Sequence, residues 1–198
     1  MFNTSRKVIL LSTIIGLTGG AIAGHGFYLS AKASFAQYLL EAAWVESVHE
    51  GRAIAPWPWA DTKPLARIEF KQQNQTFIIM EGSSGRTLAF APGHLTGSSL
   101  PGRGGHTIIS AHRDTHFGVL EKSTVDDILT LETLDKRKHY YQIRAINIVD
   151  TRNEQLILEP EKDLLTLITC YPFDAIEAGS PFRYRVDAVA IEYPVKSL

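Results

Sequence analysis

The chain opens with its longest apolar stretch, residues 8–29, which contains no Asp, Glu, Lys or Arg. As a helix rising about 1.5 Å per residue, this stretch is long enough to cross a hydrocarbon layer about 30 Å thick. Arg6 and Lys7 precede it, and the next positive charge is Lys32. This asymmetry places the N-terminus in the cytoplasm and the rest of the chain outside.

We therefore predict a single-pass helix in the inner (cytoplasmic) membrane, with the bulk of the chain on the periplasmic side. A cleaved signal peptide is the alternative, because the small residues at positions 19–24 are compatible with a cleavage site. The apolar run is longer than the usual core of a signal peptide, which favours a retained anchor.

The pattern after the anchor predicts a second helix and then a linker. Apolar residues recur at helical spacing over residues 31–49, which is typical of an amphipathic helix. Residues 55–60 read Ala-Pro-Trp-Pro-Trp-Ala, and their two prolines stop a helix and favour an extended path. Trp57 and Trp59 need a surface to cover, either the membrane interface or a groove of the domain.

From residue 65 onward the pattern changes to short segments rich in β-branched and aromatic residues, with Gly, Pro, Asn and Asp between them. We predict strands at residues 66–70, 76–80, 87–91, 107–110, 140–149, 155–158, 164–169 and 184–193. Residues 119–121 and 125–129 predict short helical turns at most. Short strands without alternating helices favour a mainly β fold, a barrel or a sandwich.

The expected organisation is a cytoplasmic stub and anchor at residues 1–30, a helix and linker at 31–62, and one folded domain at 63–198. The formal net charge of −1, with no basic run, excludes nucleic acid as an expected partner. The histidines lack the spacing of zinc ligands, and no acidic cluster resembles a calcium site. We therefore expect no metal and no cofactor.

Cys170 is the single cysteine of the chain, so it has no intramolecular disulfide partner. Outside the cytoplasm most structural cysteines are paired, so a lone thiol is either reactive, joined to another molecule, or buried and inert. Pro172 cannot donate to a β ladder and ends the predicted strand near Cys170. A side chain at a strand end that enters a loop is well placed to meet a substrate.

A thiol nucleophile needs a partner for proton transfer. Among the seven histidines, His112 follows the predicted strand 107–110, so it too lies at a strand end, and two strand ends can meet at one rim of a barrel. Acyl transfer also needs a group that stabilises the developing oxyanion. Arg183 and Arg185 share one face of the last predicted strand and carry permanent charges.

Three segments of the chain resemble the sortase family. Thr-Leu-Ile-Thr-Cys170 resembles the family's TLxTC signature, and Ser-Ala-His112-Arg-Asp-Thr resembles the segment around its catalytic histidine in class D-like members. Ser-Pro-Phe-Arg183-Tyr is similar to the family's arginine segment. The three occur in the family's order, within a resemblance that runs from about residue 65 to the C-terminus. Trp-Pro-Trp-Ala-Asp-Thr62 resembles sortases of Gram-negative marine bacteria.

The resemblance implies a closed, eight-stranded β-barrel with short helices and a cysteine transpeptidase activity. Cys170 matches the nucleophile, His112 the acid/base histidine and Arg183 the cation that faces the transition state. We expect supporting or substrate-binding roles for Asp114, Thr169 and Arg185. Ala111 departs from the Gly that often precedes the family's histidine, and we expect its methyl group to leave activity intact.

The partners implied are a substrate protein with a C-terminal LPxTG-like sorting signal, cleaved through a thioester acyl-enzyme, and an amine acceptor in the cell envelope. A cysteine peptidase that resolves the same acyl-enzyme with water is the alternative, and the sequence does not separate the two. A thiol-redox protein is disfavoured because no Cys-x-x-Cys occurs. A binding module with a dead site is disfavoured because all three catalytic residue types are present.

Overall fold

The computed structural model describes residues 4–175, 177 and 179–192. It divides into two compact units, Met1–Tyr38 and Leu39–Leu198. The long helix α1 covers Thr4–Glu50, so the two helical segments expected from the sequence form one continuous helix. Tyr193, the last residue of the predicted final strand, lies outside the described residues.

The first unit is an apolar helix whose side chains from Lys7 to Phe35 are all exposed. By length and composition it is a candidate membrane span. Its hydroxyls are satisfied within the helix: Thr13 Oγ1 donates to the Ile9 carbonyl and Thr18 Oγ1 to the Ile14 carbonyl, each at 2.9 Å. Such internal bonds matter in hydrocarbon, where no water can satisfy a polar group.

The second unit is a closed barrel in the order β1-β2-β3-β4-β7-β8-β6-β5. The strands are β1 Pro64–Phe70, β2 Gln75–Glu81, β3 Gly93–His94, β4 His106–Ser110, β5 Ile128–Thr133, β6 Lys138–Asp150, β7 Leu164–Cys170 and β8 Phe182–Ile191. Only β2–β3 and β4–β7 are parallel pairs among these strands. A four-residue helix α2, Gly85–Leu88, and a 3₁₀ helix, His116–Lys122, complete the unit. The expected closed, eight-stranded barrel is confirmed.

Alternate residues of the strands fill the barrel. Leu165 and Leu167 of β7, with Val186 and Ala188 of β8, are at most 1% exposed. Phe117 of the 3₁₀ helix joins the same cluster. Burial of each large aliphatic side chain stabilises the fold by about 1.5–3 kcal/mol, so this interior anchors the strands that carry the site.

Two predicted strands are wrong. Residues 87–91 lie in α2 and the turn after it, because the Ser84 side chain accepts a hydrogen bond from the Thr87 N–H at 3.3 Å and caps the helix. Residues 155–158 lie in a loop with no ladder partner, and Ile157 is 77% exposed. A β pattern forms a strand only where a neighbouring strand can pair with it.

The helical turn predicted at residues 125–129 is also wrong, and two strands were missed. The Asp127 carboxylate accepts a hydrogen bond from the Thr124 N–H at 3.0 Å and closes a turn, after which β5 begins at Ile128. That strand pairs with both β1 and β6. The other missed strand, β3, has only two residues and is too short to show a pattern.

The last turns of α1 belong to the second unit and pack on the barrel. Leu40 and Trp44 form a buried cluster with Ile78 and Met80 of β2. The Arg67 guanidinium lies 5.2 Å from the centre of the Trp44 ring. The amphipathic pattern of the sequence therefore corresponds to a face of α1 that is covered by the domain.

The two linker tryptophans have different surroundings. Trp57 packs edge-on against Phe90, with 5.5 Å between ring centres, so it covers the domain surface. Trp59 is 83% exposed. The hydroxyl of Thr62 donates to the Glu81 carbonyl at 2.7 Å and fixes the end of the linker beside β2.

Candidate active site

Cys170 and Arg183 lie directly opposite each other on the antiparallel strands β7 and β8. Ile168 is paired with Arg185 in the same ladder. Because side chains alternate along a strand, these residues share one face, and Leu167 on the other face points into the barrel. Directly opposed residues have Cβ atoms about 4.5–5.5 Å apart, so the backbone ladder sets the spacing between the thiol and the guanidinium.

His112 lies two residues beyond β4, the parallel neighbour of β7. The Ala111 N–H donates to the Ile168 carbonyl at 3.3 Å, which extends the pairing past the strand end. Parallel strands end at the same edge of a sheet, so His112 and Cys170 come to the same rim of the barrel. The His112 side chain is exposed, and Cys170 is half-buried.

Thr169 joins the segments that carry the thiol and the imidazole. Its side chain is buried, and its hydroxyl donates to the Ala111 carbonyl at 2.8 Å. The Phe117 N–H then donates to the His112 carbonyl at 3.0 Å and closes the turn that follows. The backbone at His112 is therefore held on both sides.

Arg183 is anchored within its own segment. Its Nη1 donates to the Ser180 carbonyl at 2.5 Å and to the Phe182 carbonyl at 2.9 Å. Within the described part of the chain, no carboxylate forms an ion pair with it. A guanidinium that is positioned but not neutralised can stabilise a developing negative charge.

Arg185 is bound to a polar network. Its Nε donates to Asp187 at 2.8 Å, and the other oxygen of that carboxylate accepts from the Thr166 hydroxyl at 2.7 Å. Since the Thr166 proton is directed to Asp187, His106 Nε2, at 2.8 Å, is the donor to the Thr166 oxygen. The Glu159 N–H donates to His106 Nδ1 at 3.3 Å. Burial lowers the pKa of His106, which favours this neutral form.

The network lies under the loop between β6 and β7, residues 151–163. Between this loop and the outer face of the sheet is an open cleft of about 470 Å³. Gln155 and Leu156 line it from the loop, and Thr166 and Arg185 line it from the strands. Thr166 and Cys170 alternate onto the same outer face of β7, so the cleft and the thiol lie on the same side of the sheet.

An aromatic cluster braces the chain after Cys170. Tyr171 stacks on Tyr184 with 6.1 Å between ring centres, and Phe173 meets Tyr184 edge-on at 5.0 Å. Burial raises the pKa of the Tyr184 phenol above its ordinary value. These rings fix the direction in which the loop leaves β7.

Asp114, expected to have a supporting role, is an exposed side chain whose carboxylate accepts from Arg113 Nε at 3.1 Å. Sequence reasoning missed Arg113 and the buried network at His106. Arg113 lies in the quoted His-Arg-Asp segment, but nothing in the sequence indicates that this arginine is buried. Thr166 lies in the Thr-Leu-Ile-Thr-Cys segment. Its hydrogen bond to His106 joins residues 60 positions apart in the chain and depends on the β4–β7 pairing, so the sequence does not reveal it.

His116 lies in the 3₁₀ helix four residues after His112, with its ring edge-on to Phe77 at 5.6 Å between ring centres. Burial lowers its pKa. The described residues contain no group of three or more His, Cys, Asp or Glu side chains that could hold a metal ion.

Comparisons with known proteins agree on one family. The model of the sortase domain matches residues 68–193. Sortase D of Bacillus subtilis (strain 168) is 36% identical over 123 residues, which cover 60% of this chain and 60% of that protein. The match therefore spans less than two thirds of the relative's length.

Solved structures show the same likeness. Sortase A from Corynebacterium diphtheriae superposes with a TM-score of 0.61 and 29% identity, covering 70% of this chain and 66% of that one. A Clostridium perfringens sortase D5, described as a transpeptidase, gives a TM-score of 0.57 and 25% identity, covering 65% of this chain and 79% of that one. Streptococcus agalactiae sortase C1 gives a TM-score of 0.58 and 28% identity, covering 68% of this chain and 71% of that one.

Proposed function

Because this chain belongs to the sortase family, we propose that it is a membrane-anchored cysteine transpeptidase. It cleaves a C-terminal, LPxTG-like sorting signal and transfers the protein to an amine of the cell envelope. The observation that supports this best is the placement of Cys170 opposite Arg183 in the β7–β8 ladder, with His112 at the same rim.

In the first half-reaction, the Cys170 thiolate attacks the carbonyl carbon of the scissile peptide bond. Arg183 stabilises the oxyanion that forms, since its guanidinium lies across the ladder from the thiol and pairs with no carboxylate among the described residues. The carbon–nitrogen bond then breaks, and His112 donates a proton to the leaving amine. The product is a thioester between Cys170 and the substrate protein.

In the second half-reaction, an amine of the acceptor attacks the thioester. His112 takes a proton from this amine, the carbon–sulfur bond breaks, and the Cys170 thiolate is regenerated. A new amide bond joins the substrate to the acceptor. Thr169 serves the site by tying the segments of His112 and Cys170 together, and Arg185 lines the cleft beside them.

The proposed arrangement in the cell has three parts: a stub and anchor at residues 1–30, a helix and linker at 31–62, and the catalytic barrel at 63–198 outside the cytoplasmic membrane. The apolar segment of α1 supports the anchor by its length and composition. A tethered enzyme meets a membrane-tethered substrate more often than a free enzyme does, because tethering raises the effective concentration.

The test of the chemistry is a mass measurement on the full-length protein in detergent, incubated with a library of LPxTG-like peptides. Formation of an acyl-enzyme on Cys170, followed by an amide product when an amine is added, supports the proposal. A thioester that yields only the acid in the presence of many amines would instead make the protein a cysteine peptidase. No acyl-enzyme with any peptide would contradict both functions.

The test of the anchor is fractionation of cells that carry a C-terminally tagged copy, followed by sequencing of the mature N-terminus. We expect the protein in the membrane fraction with residues 8–29 retained. A soluble periplasmic protein with a new N-terminus near Ala23 or Ala31 would show that the segment is a cleaved signal.

A further inference from the structure

We propose that Arg113 is a positioning residue that fastens the loop between Cys170 and Arg183 to the turn that carries His112. This inference rests on the proposed function, because it gives Arg113 a role in shaping the loop that borders the proposed catalytic site. The loop in question is residues 171–181, here called the β7–β8 loop.

The contacts of Arg113 are unusual for an arginine beside an exposed turn. Its side chain is 8% exposed. Its Nη2 donates to the Ala175 carbonyl at 2.7 Å and to the Glu177 carbonyl at 3.1 Å. Its Nε donates to Asp114 at 3.1 Å, which sets the plane of the guanidinium. A buried charge is costly unless it is hydrogen-bonded, so these bonds define where the group can lie.

The acceptors on the loop are backbone carbonyls two residues apart. The guanidinium therefore holds the backbone carbonyls of Ala175 and Glu177, whatever side chains these two residues carry. Among the described residues, no other side chain of the turn 112–118 forms a hydrogen bond to the β7–β8 loop. The aromatic cluster of Tyr171, Phe173 and Tyr184 braces the loop near Cys170, and Arg113 holds it farther along.

The connection matters because of where the loop begins and ends. It leaves β7 immediately after Cys170 and enters β8 at Phe182, the residue before Arg183. Arg113 follows His112 directly in the chain. The Arg113 guanidinium thus connects the turn that begins at His112, the proposed acid/base residue, to the loop that runs between Cys170 and Arg183. Release of the loop should weaken substrate binding, while the ladder keeps Cys170 in place.

Arg113→Gln tests this in the full-length protein, with Arg144→Gln as a matched control, because Arg144 is an exposed arginine paired with Asp126. We expect the KM for the sorting peptide to rise at least about tenfold, the scale of one lost charge-assisted hydrogen bond, with a smaller change in kcat. We expect the Cys170 alkylation rate with iodoacetamide to stay within about twofold, since the thiol is held by the ladder. Arg113→Lys should recover part of the loss, because an ammonium keeps the charge but not the fork.

A second readout, hydrogen exchange of the β7–β8 loop amides, does not depend on activity. In Arg113→Gln these amides should exchange about tenfold faster or more, whereas the amides of β7 and β8 should not change. Unchanged loop exchange and an unchanged KM would overturn the inference. A raised KM together with faster exchange throughout the barrel would also overturn it, because that result would mean that Arg113 stabilises the whole fold. If Arg113→Gln does not fold, the same two measurements on Arg113→Lys test the inference. If the wild-type protein forms no acyl-enzyme, only the proposed function is contradicted. Hydrogen exchange would still test whether Arg113 holds the β7–β8 loop.

Discussion

The two faces of the β7–β8 ladder differ in what they contribute. The inner face is apolar and closed to solvent, with Leu167 and Val186 at 0% exposure. The outer face carries Cys170 opposite Arg183, and beside them the pair of Arg185 with Asp187. Both faces are made by the same backbone hydrogen bonds. Alternation along the strands therefore separates the residues that hold the fold from those that we propose carry the chemistry, and substitutions on the two faces should have different effects.

The largest effect should come from the outer face. Cys170→Ala and His112→Ala should each reduce peptide cleavage to background, because the first removes the proposed nucleophile and the second the proposed proton donor. Neither side chain belongs to the apolar core, so the free energy of unfolding should change by no more than about 0.5 kcal/mol. The measurements are initial rates and urea unfolding; near-normal turnover in either variant would show that its role is misassigned.

A smaller loss is expected for Arg183→Lys. One ammonium cannot reproduce the guanidinium fork, so we expect kcat to fall by about 10²–10³, the scale of a lost oxyanion donor. Arg185→Lys serves as the matched variant and should be tolerated better, since the Arg185 charge is already paired with Asp187. The reverse ranking in steady-state kinetics would transfer the role to Arg185.

The inner face is tested by Leu167→Ala. This substitution opens a cavity in a tightly packed core and should lower the free energy of unfolding by about 2–5 kcal/mol. The kcat per folded molecule should remain close to that of the wild type, because the ladder geometry at Cys170 is kept. A variant with normal stability and lost activity would break the separation between the two faces.

The smallest effect concerns the pH dependence of stability. Burial lowers the pKa of His106 from its ordinary value of 6.5. As the pH falls below about 6.5, the unfolded chain takes up a proton that the folded chain resists, so stability falls with pH. Urea unfolding at several pH values should show this slope, and His106→Gln should reduce it. The slope should not vanish, because the pKa of His116 is lowered too.

Local patterns predicted a mainly β domain and the strand-end positions of Cys170 and His112, because β-rich segments and Pro172 mark where strands run and stop. The closed barrel was predicted by the resemblance to the sortase family. The sequence did not predict β5, because Asp126 and Asp127 look like turn residues and the strand owes its place to partners on both sides. It missed Arg113 for a similar reason. Its acceptors, Ala175 and Glu177, lie more than sixty residues away in the chain, so only the folded structure shows that this arginine is buried.

The pairing of Cys170 with Arg183 has a consequence for how such a protein can evolve. The β7–β8 loop begins directly after Cys170 and ends two residues before Arg183, yet the spacing of these two residues is set by the strand ladder. Insertions, deletions and substitutions inside the loop can therefore accumulate without moving the reactive pair. Selection can change what the site recognises while the reaction it performs is inherited intact.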